Sequence, residues 1–152
     1  MPNHFHFLAY ANSETCRLVK KTSAFEINTL TENIRLLLSS YTKAIQKQEG
    51  FTGNLFQQKT KSKCVNEVGF DYSSTAFHNI HQNAFKAGLV KKMEDWEFSS
   101  LPEYLGLRAN GSGTCVNLCN KELACDLLGL NLASILKESY SVIPSEDFEM
   151  IF

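Results

Sequence analysis

The chain has 152 residues, of which 43% are hydrophobic and 20% are charged, so its composition is that of a globular protein and excludes a disordered chain. Lys and Arg number 15 and Asp and Glu number 16, and no apolar run reaches the roughly 20 residues that a membrane-spanning helix needs. We therefore expect a cytoplasmic protein without membrane contact, built on one core with or without a helical tail.

The charges are unevenly distributed along the chain. Residues 1–92 carry twelve Lys and Arg against six Asp and Glu, whereas residues 93–152 carry three against ten. The first part is therefore suited to a polyanion, although a chance asymmetry on a solvated surface explains the same numbers. The five cysteines have no disulfide-framework spacing, and a zinc site from Cys115 and Cys119 with His78 or His81 is disfavoured because paired-cysteine spacing is missing.

The first half of the chain alternates between strand and helix patterns. Residues 4–11 alternate between two faces, which predicts a strand, and a polar loop follows. Apolar residues at three- and four-residue steps predict a helix over 27–48, ended by Gly50 and Gly53. Residues 54–65 then predict a second strand, with Lys59, Lys61 and Lys63 on one face.

The second half predicts helices. One runs from Ser73 to Lys86, capped by Asp71 or Ser73 and stopped by Gly88. The segment SLPE, residues 100–103, fits a capping box for a short helix. Asn120 and Asn131 are candidate caps for two final short helices after a glycine-rich loop. The order of elements predicts an α+β fold in which helices pack on a sheet.

Two histidines on one face of the first predicted strand are candidate metal ligands. His4 and His6 are two residues apart, so both imidazoles lie on the same side, roughly 7 Å apart at Cα. Two ligands do not complete a site, and a third has to come from elsewhere in the chain. Without such a ligand, the pair is the solvated face of an edge strand.

Four segments in a fixed order resemble the single-tyrosine, HUH-type bacterial transposases. They are MPNHFHFL (1–8), GNLFQQKTKSK (53–63), IHQNAFKAGLV (80–90) and DWEFSSLPEYLGL (95–107). The similarity is to the insertion-sequence-200-like group and particularly to its REP-associated tyrosine transposases. It covers about residues 1–107, and the ordered set is far more specific than a His-x-His pair.

The resemblance implies a chemistry and a set of site residues. In that family the two histidines, here His4 and His6, bind Mg²⁺ or Mn²⁺, and a helix supplies a tyrosine nucleophile and a third ligand four residues later. The tyrosine attacks a DNA phosphate, so a 5′-phosphotyrosine retains the bond energy for rejoining. Asn83 matches the third ligand, but Asn79 stands in the tyrosine's place and a carboxamide cannot form that intermediate. His78 and His81 beside it are assigned to the helix surface.

The resemblance also implies a fold and partners. Relatives have a further strand, helix and strand before the two histidines, so residues 1–107 resemble an N-terminally truncated domain with a partial ferredoxin-like (RRM-like) sheet and helices on one face. Residues 108–152 then form a small helical extension. The expected partner is single-stranded or hairpin DNA, with Lys59, Lys61 and Lys63 either contacting its backbone or keeping an edge strand soluble.

Three functions follow from this set of residues. The first is a transposase-family protein that binds DNA and is impaired in cleavage by Asn79. The second is a non-catalytic DNA-binding or regulatory module, and the third is a decayed transposase remnant. A sheet with an open edge also allows the chain to pair with a second copy as a homodimer.

Overall fold

The computed structural model describes residues 5–21, 26–56, 61–65, 70–107 and 118–141. The chain divides into two compact units, of which one is residues 9–62 and the other is residues 63–152 together with the N-terminal segment up to Leu8. Helices and an antiparallel strand pair are both present, so the chain is α+β, as predicted. None of the described helices combines the length and the apolar character needed to cross a bilayer.

A short hairpin opens the unit of residues 9–62. Strand β1 (Leu18–Lys21) pairs antiparallel with β2 (Glu26–Asn28), and the register is irregular between Leu18 and Lys20. An ion pair between Lys21 and Glu26 joins the two strands at one end of the pair. The sequence predicted a polar loop here, because the exposed lysines of β1 give no alternating pattern.

Helix α1 (Thr29–Glu49) follows the hairpin directly and matches the predicted helix over 27–48. The Asn28 side chain caps its start by accepting a hydrogen bond from the Thr31 amide at 2.9 Å. Gly50, in the left-handed region with φ of 68°, ends it by donating its N–H to the Gln46 carbonyl. None of the residues of α1 is buried.

The unit that contains residues 63–152 is helical in its described part. It comprises helix α2 (Phe70–Lys86), a 3₁₀ turn (Met93–Asp95) and helices α3 (Leu101–Tyr104), α4 (Lys121–Leu128) and α5 (Ile135–Tyr140). Helix α2 packs against the 3₁₀ turn, α4 and α5. The apolar core joins these elements and contains Phe77, Leu128, Leu130 and Ile135.

The predicted helix ends are confirmed in part. Gly88, with φ of 70°, follows α2, and the Asn120 oxygen accepts the Leu123 amide hydrogen at the start of α4. The capping box at residues 100–103 is wrong, since the Ser99 hydroxyl accepts the Leu101 amide hydrogen instead. Asn131 caps the turn before α5, through the Ala133 amide, rather than the helix itself.

The two predicted strands are not strands in the structure. Residues 5–12, 54–56 and 61–65 have no regular secondary structure, and residues 1–4 and 57–60 lie outside the described part. An alternating pattern favours a strand only where a neighbouring strand accepts its backbone hydrogen bonds. The described sheet accordingly has two strands, β1 and β2. The predicted boundary at 107/108 adjoins residues 108–117, which are also outside the described residues.

Truncating the core of the helical unit is expected to destabilise it strongly. Ile135 is fully buried against Phe77 and Leu128, so we expect Ile135→Ala to lower the free energy of unfolding by about 2–5 kcal/mol. Leu132→Ala, three residues earlier and exposed, is the matched control and should cost less than about 1 kcal/mol. Urea titration of both variants measures the difference, and equal losses would contradict this core.

Candidate functional site

Helix α2 carries the two amides that the sequence assigned to the site. Asn79 and Asn83 are four residues apart and therefore lie on one face of the helix. The described part of the N-terminal segment up to Leu8, including His6, belongs to the same compact unit as α2. The structure thus brings a predicted histidine ligand and both amides into one unit, although about 70 residues separate them along the chain.

The predicted metal set is only partly within the described residues. His6 is half-buried, Asn83 is half-buried, and His4 lies outside the described part of the chain. An imidazole nitrogen and a carboxamide oxygen are ligand types that suit Mn²⁺ or Mg²⁺, so His6 and Asn83 fit such an ion chemically. Among the described residues, no three His, Cys, Asp or Glu side chains are grouped to hold a metal ion.

Asn79 is fully buried in the interior of the helical unit. Neither its amide nitrogen nor its amide oxygen has a hydrogen-bond partner within the described part of the chain. Burying an amide in this way costs roughly 1–3 kcal/mol per group. Position 79 therefore combines a side chain that cannot act as a nucleophile with a location that solvent does not reach.

The polar side of α2 is held by α5 and the residue after it. The His78 Nδ1 and the Ser139 hydroxyl lie 2.8 Å apart. The Gln82 amide nitrogen donates to the backbone carbonyls of Ser139, at 2.8 Å, and of Ser141, at 3.0 Å. These hydrogen bonds replace water for polar groups that the packing removes from solvent.

The assignment of His78 and His81 to the helix surface is wrong, because both side chains are buried. The His81 Nε2 lies 2.9 Å from the Ser100 hydroxyl, and its ring lies against the Phe77 ring, with centroids 4.3 Å apart. Sequence polarity suggested solvent exposure, but in the interior the hydroxyls of Ser139 and Ser100 each lie within hydrogen-bond distance of one ring nitrogen of His78 and His81, respectively.

Burial also changes the acid–base behaviour of both histidines. It lowers the pKa of His81 from 6.5 to about 4, a shift that the Phe77 carbonyl partly opposes. Burial likewise lowers the pKa of His78, and the Glu138 carboxylate, 3.7 Å from its Nε2, acts in the opposite direction. Both rings are therefore neutral at pH 7 and serve as hydrogen-bonding groups.

The candidate DNA-contacting lysines are exposed where the structure describes them. Lys61 and Lys63 both project into solvent, whereas Lys59 lies outside the described residues. The Lys63 ammonium is 4.8 Å from the centroid of the Tyr72 ring, a cation–π distance that orients the side chain. Lys61 and Lys63 therefore have the exposure that phosphate contacts require.

Comparison with known proteins adds no family assignment. No protein-family model, no curated protein and no solved structure matches the chain. The similarity to the HUH-type transposases consequently rests on the four ordered sequence segments and on the residues within them.

Replacing Asn79 with leucine is expected to stabilise the protein. The change removes an amide that is buried without hydrogen bonds in the described structure, so the free energy of unfolding should rise by about 1–3 kcal/mol. Gln82→Leu is the matched control, because Gln82 donates two hydrogen bonds and its loss should destabilise by a similar amount. Chemical denaturation of both variants is the measurement, and a destabilised Asn79→Leu protein would show that this amide is satisfied after all.

Acid is expected to destabilise the helical unit through His81. The folded pKa of about 4 lies below the value of 6.5 for an accessible histidine, so the unfolded chain binds the proton more tightly. Stability is then complete above about pH 6.5 and falls as the pH drops towards 4, by roughly 3 kcal/mol from this one group. Denaturation curves at pH 7 and 4.5 measure the loss.

The variant His81→Gln provides the comparison for this pH effect. Glutamine keeps a donor near the Ser100 hydroxyl but does not titrate, so the fall in stability between pH 7 and 4.5 should shrink. The part that remains includes the contribution of His78, whose pKa is lowered in the same direction. An unchanged pH dependence in this variant would exclude His81 as a source of the acid sensitivity.

Proposed function

We propose that the chain is a DNA-binding protein related to the single-tyrosine HUH transposases, that it binds single-stranded or hairpin DNA, and that it does not cleave it. The four ordered segments support the relationship. The fold that goes with this relationship is a partial ferredoxin-like (RRM-like) sheet with helices on one face. The place of action is the cytoplasm, and self-pairing into a homodimer is included in the proposal.

The observation that carries the loss of cleavage is the burial of Asn79. A phosphotyrosine intermediate needs a hydroxyl that reaches the scissile phosphate, and this position offers a carboxamide with no exposed surface. Restoring a tyrosine here would require space for a ring in a packed interior. Both the chemistry and the packing at position 79 therefore favour binding over cleavage.

The binding part of the proposal rests on charge and on the remaining ligand set. Lys61 and Lys63 are exposed, and together with Lys59 they supply three cations within five residues for a phosphate backbone. His4, His6 and Asn83 are the residues that would hold Mg²⁺ or Mn²⁺, and such an ion would add a positive charge that attracts phosphate. The Asn83 amide nitrogen is buried without a hydrogen-bond partner in the described structure, and the oxygen of the same amide is the atom that would bind such an ion.

The expected result is salt-dependent DNA binding that needs the lysines. Fluorescence anisotropy with labelled single-stranded and hairpin DNA measures affinity between 50 and 200 mM salt. The double variant Lys61→Ala/Lys63→Ala should weaken binding and reduce the slope of log affinity against log salt by about 1.4, because two phosphate contacts are lost. The double variant Lys91→Ala/Lys92→Ala is the matched control, because it removes two charges at exposed positions outside residues 59–63. It should leave the slope of log affinity against log salt unchanged.

The same DNA, incubated with Mn²⁺ and analysed on denaturing gels, tests the absence of cleavage. No covalent protein–DNA adduct is expected. An adduct would overturn the non-cleaving assignment, and an absence of measurable DNA binding at low salt would overturn the DNA-binding assignment. If the Lys61/Lys63 and Lys91/Lys92 double variants weaken DNA binding equally, binding depends on net charge and not on the segment that contains Lys61 and Lys63.

A further inference from the structure

A cleft runs along helix α1 within the unit of residues 9–62. It has a volume of about 470 Å³ and lies between α1 and the part of the chain that contains Asn54, Phe56 and Ser62. Binding sites for small molecules in proteins have volumes of roughly 300–1,000 Å³. The cleft is therefore large enough for a ligand of the size of a nucleoside.

Two neighbouring rows of side chains on α1 form one wall of the cleft. Residues four apart are neighbours on the same face of a helix. An apolar row includes Ile34 and Leu38, and a polar row beside it includes Thr31, Arg35 and Ser39. A ligand in the cleft therefore contacts hydrocarbon as well as hydroxyl and guanidinium groups.

The opposite wall supplies an aromatic ring and further polar groups. The centroid of the Phe56 ring lies 6.0 Å from that of the Tyr41 ring, so an aromatic side chain of α1 supports it. Asn54 and Ser62 add a carboxamide and a hydroxyl to the lining. An aromatic face binds a nucleobase by stacking, and groups that both donate and accept hydrogen bonds match the edges of a base.

The charge around the cleft favours an anionic ligand. Residues 9–62 carry eight Lys and Arg against four Asp and Glu. Arg35 is the one charged side chain among the described residues that line the cleft. Its hydrogen bonds to Glu32 lower the pKa of that carboxyl, and Lys20 acts in the same direction, so two cations offset this negative charge. A nucleotide makes use of the excess positive charge, whereas an uncharged apolar ligand does not.

We propose that this cleft binds one unpaired base of single-stranded DNA, with the base against the Phe56 ring and its flanking phosphates near Arg35 and Lys61. Lys61 is exposed and directly precedes Ser62 of the cleft. The inference rests on the proposed DNA binding and adds a site for the base, because contacts to phosphates alone do not select unpaired bases. A base within a duplex is stacked and paired, so the cleft favours DNA that is single-stranded at this point.

Fluorescence anisotropy of the full chain with two single-stranded probes of equal length tests the proposal. One probe carries bases, and the other carries abasic tetrahydrofuran units, so both present the same phosphates. The unmodified chain should bind the probe with bases about tenfold more tightly, because the abasic probe has no ring to stack in the cleft. Equal affinities would overturn the base site and leave phosphate binding intact. Binding of neither probe would overturn both this inference and the proposed DNA binding.

A matched pair of variants tests whether the base lies in this cleft. Phe56→Leu keeps an apolar side chain in the wall but removes the ring, and it should reduce the tenfold difference between the probes to about twofold. Phe51→Leu is the control, because Phe51 is also half-buried but does not line the cleft, and it should leave the difference unchanged. Circular dichroism checks that both variants keep their helix content, and the comparison of probes on the unmodified chain depends on neither variant. A Phe56→Leu protein that keeps the tenfold difference would overturn the assignment to this cleft.

Discussion

The helical unit depends on the hydrogen bonds that join the buried polar side chains of α2 to α5. A helix whose central turns contain histidine and amide side chains enters an interior at a lower cost where hydrogen bonds within the protein replace those to water. Ser139 supplies both its hydroxyl, to His78, and its carbonyl, to Gln82. Because α5 provides these partners together with the buried apolar side chain of Ile135, its position is fixed by polar and apolar contacts at once.

This arrangement has a consequence for the chemistry of α2. Residues on the same helix differ in how well they are satisfied: Gln82 donates two hydrogen bonds, while the Asn79 amide has none in the described structure. Functional positions often carry a side chain that lowers the free energy of unfolding of the protein. Here the cost falls at Asn79, the position that the proposed relationship to the HUH transposases matches to a nucleophile.

Local sequence signals predicted the helices well and the sheet poorly. The start of α1 at Asn28 and the stop of α2 before Gly88 follow from side-chain capping and left-handed backbone, which involve only neighbouring residues. The strands expected at residues 4–11 and 54–65 depend on a distant partner strand that local patterns do not reveal. The site residues were chosen by resemblance. The burial of His78 and His81 involves hydrogen-bond contacts to Ser139 and Ser100, which lie 61 and 19 residues further along the chain and which local patterns do not reveal.

An amphipathic helix is expected to bury its apolar residues and to expose its polar ones, and the two long helices depart from this in opposite ways. Helix α2 buries polar residues because α5 and Ser100 offer them hydrogen bonds, whereas α1 leaves leucines exposed because a two-stranded hairpin is too small to cover a 21-residue helix. Burial of the Leu37 and Tyr41 side chains is worth roughly 2 kcal/mol each when a partner covers them. The unit of residues 9–62 therefore leaves apolar surface of α1 in contact with water that its own small core does not bury.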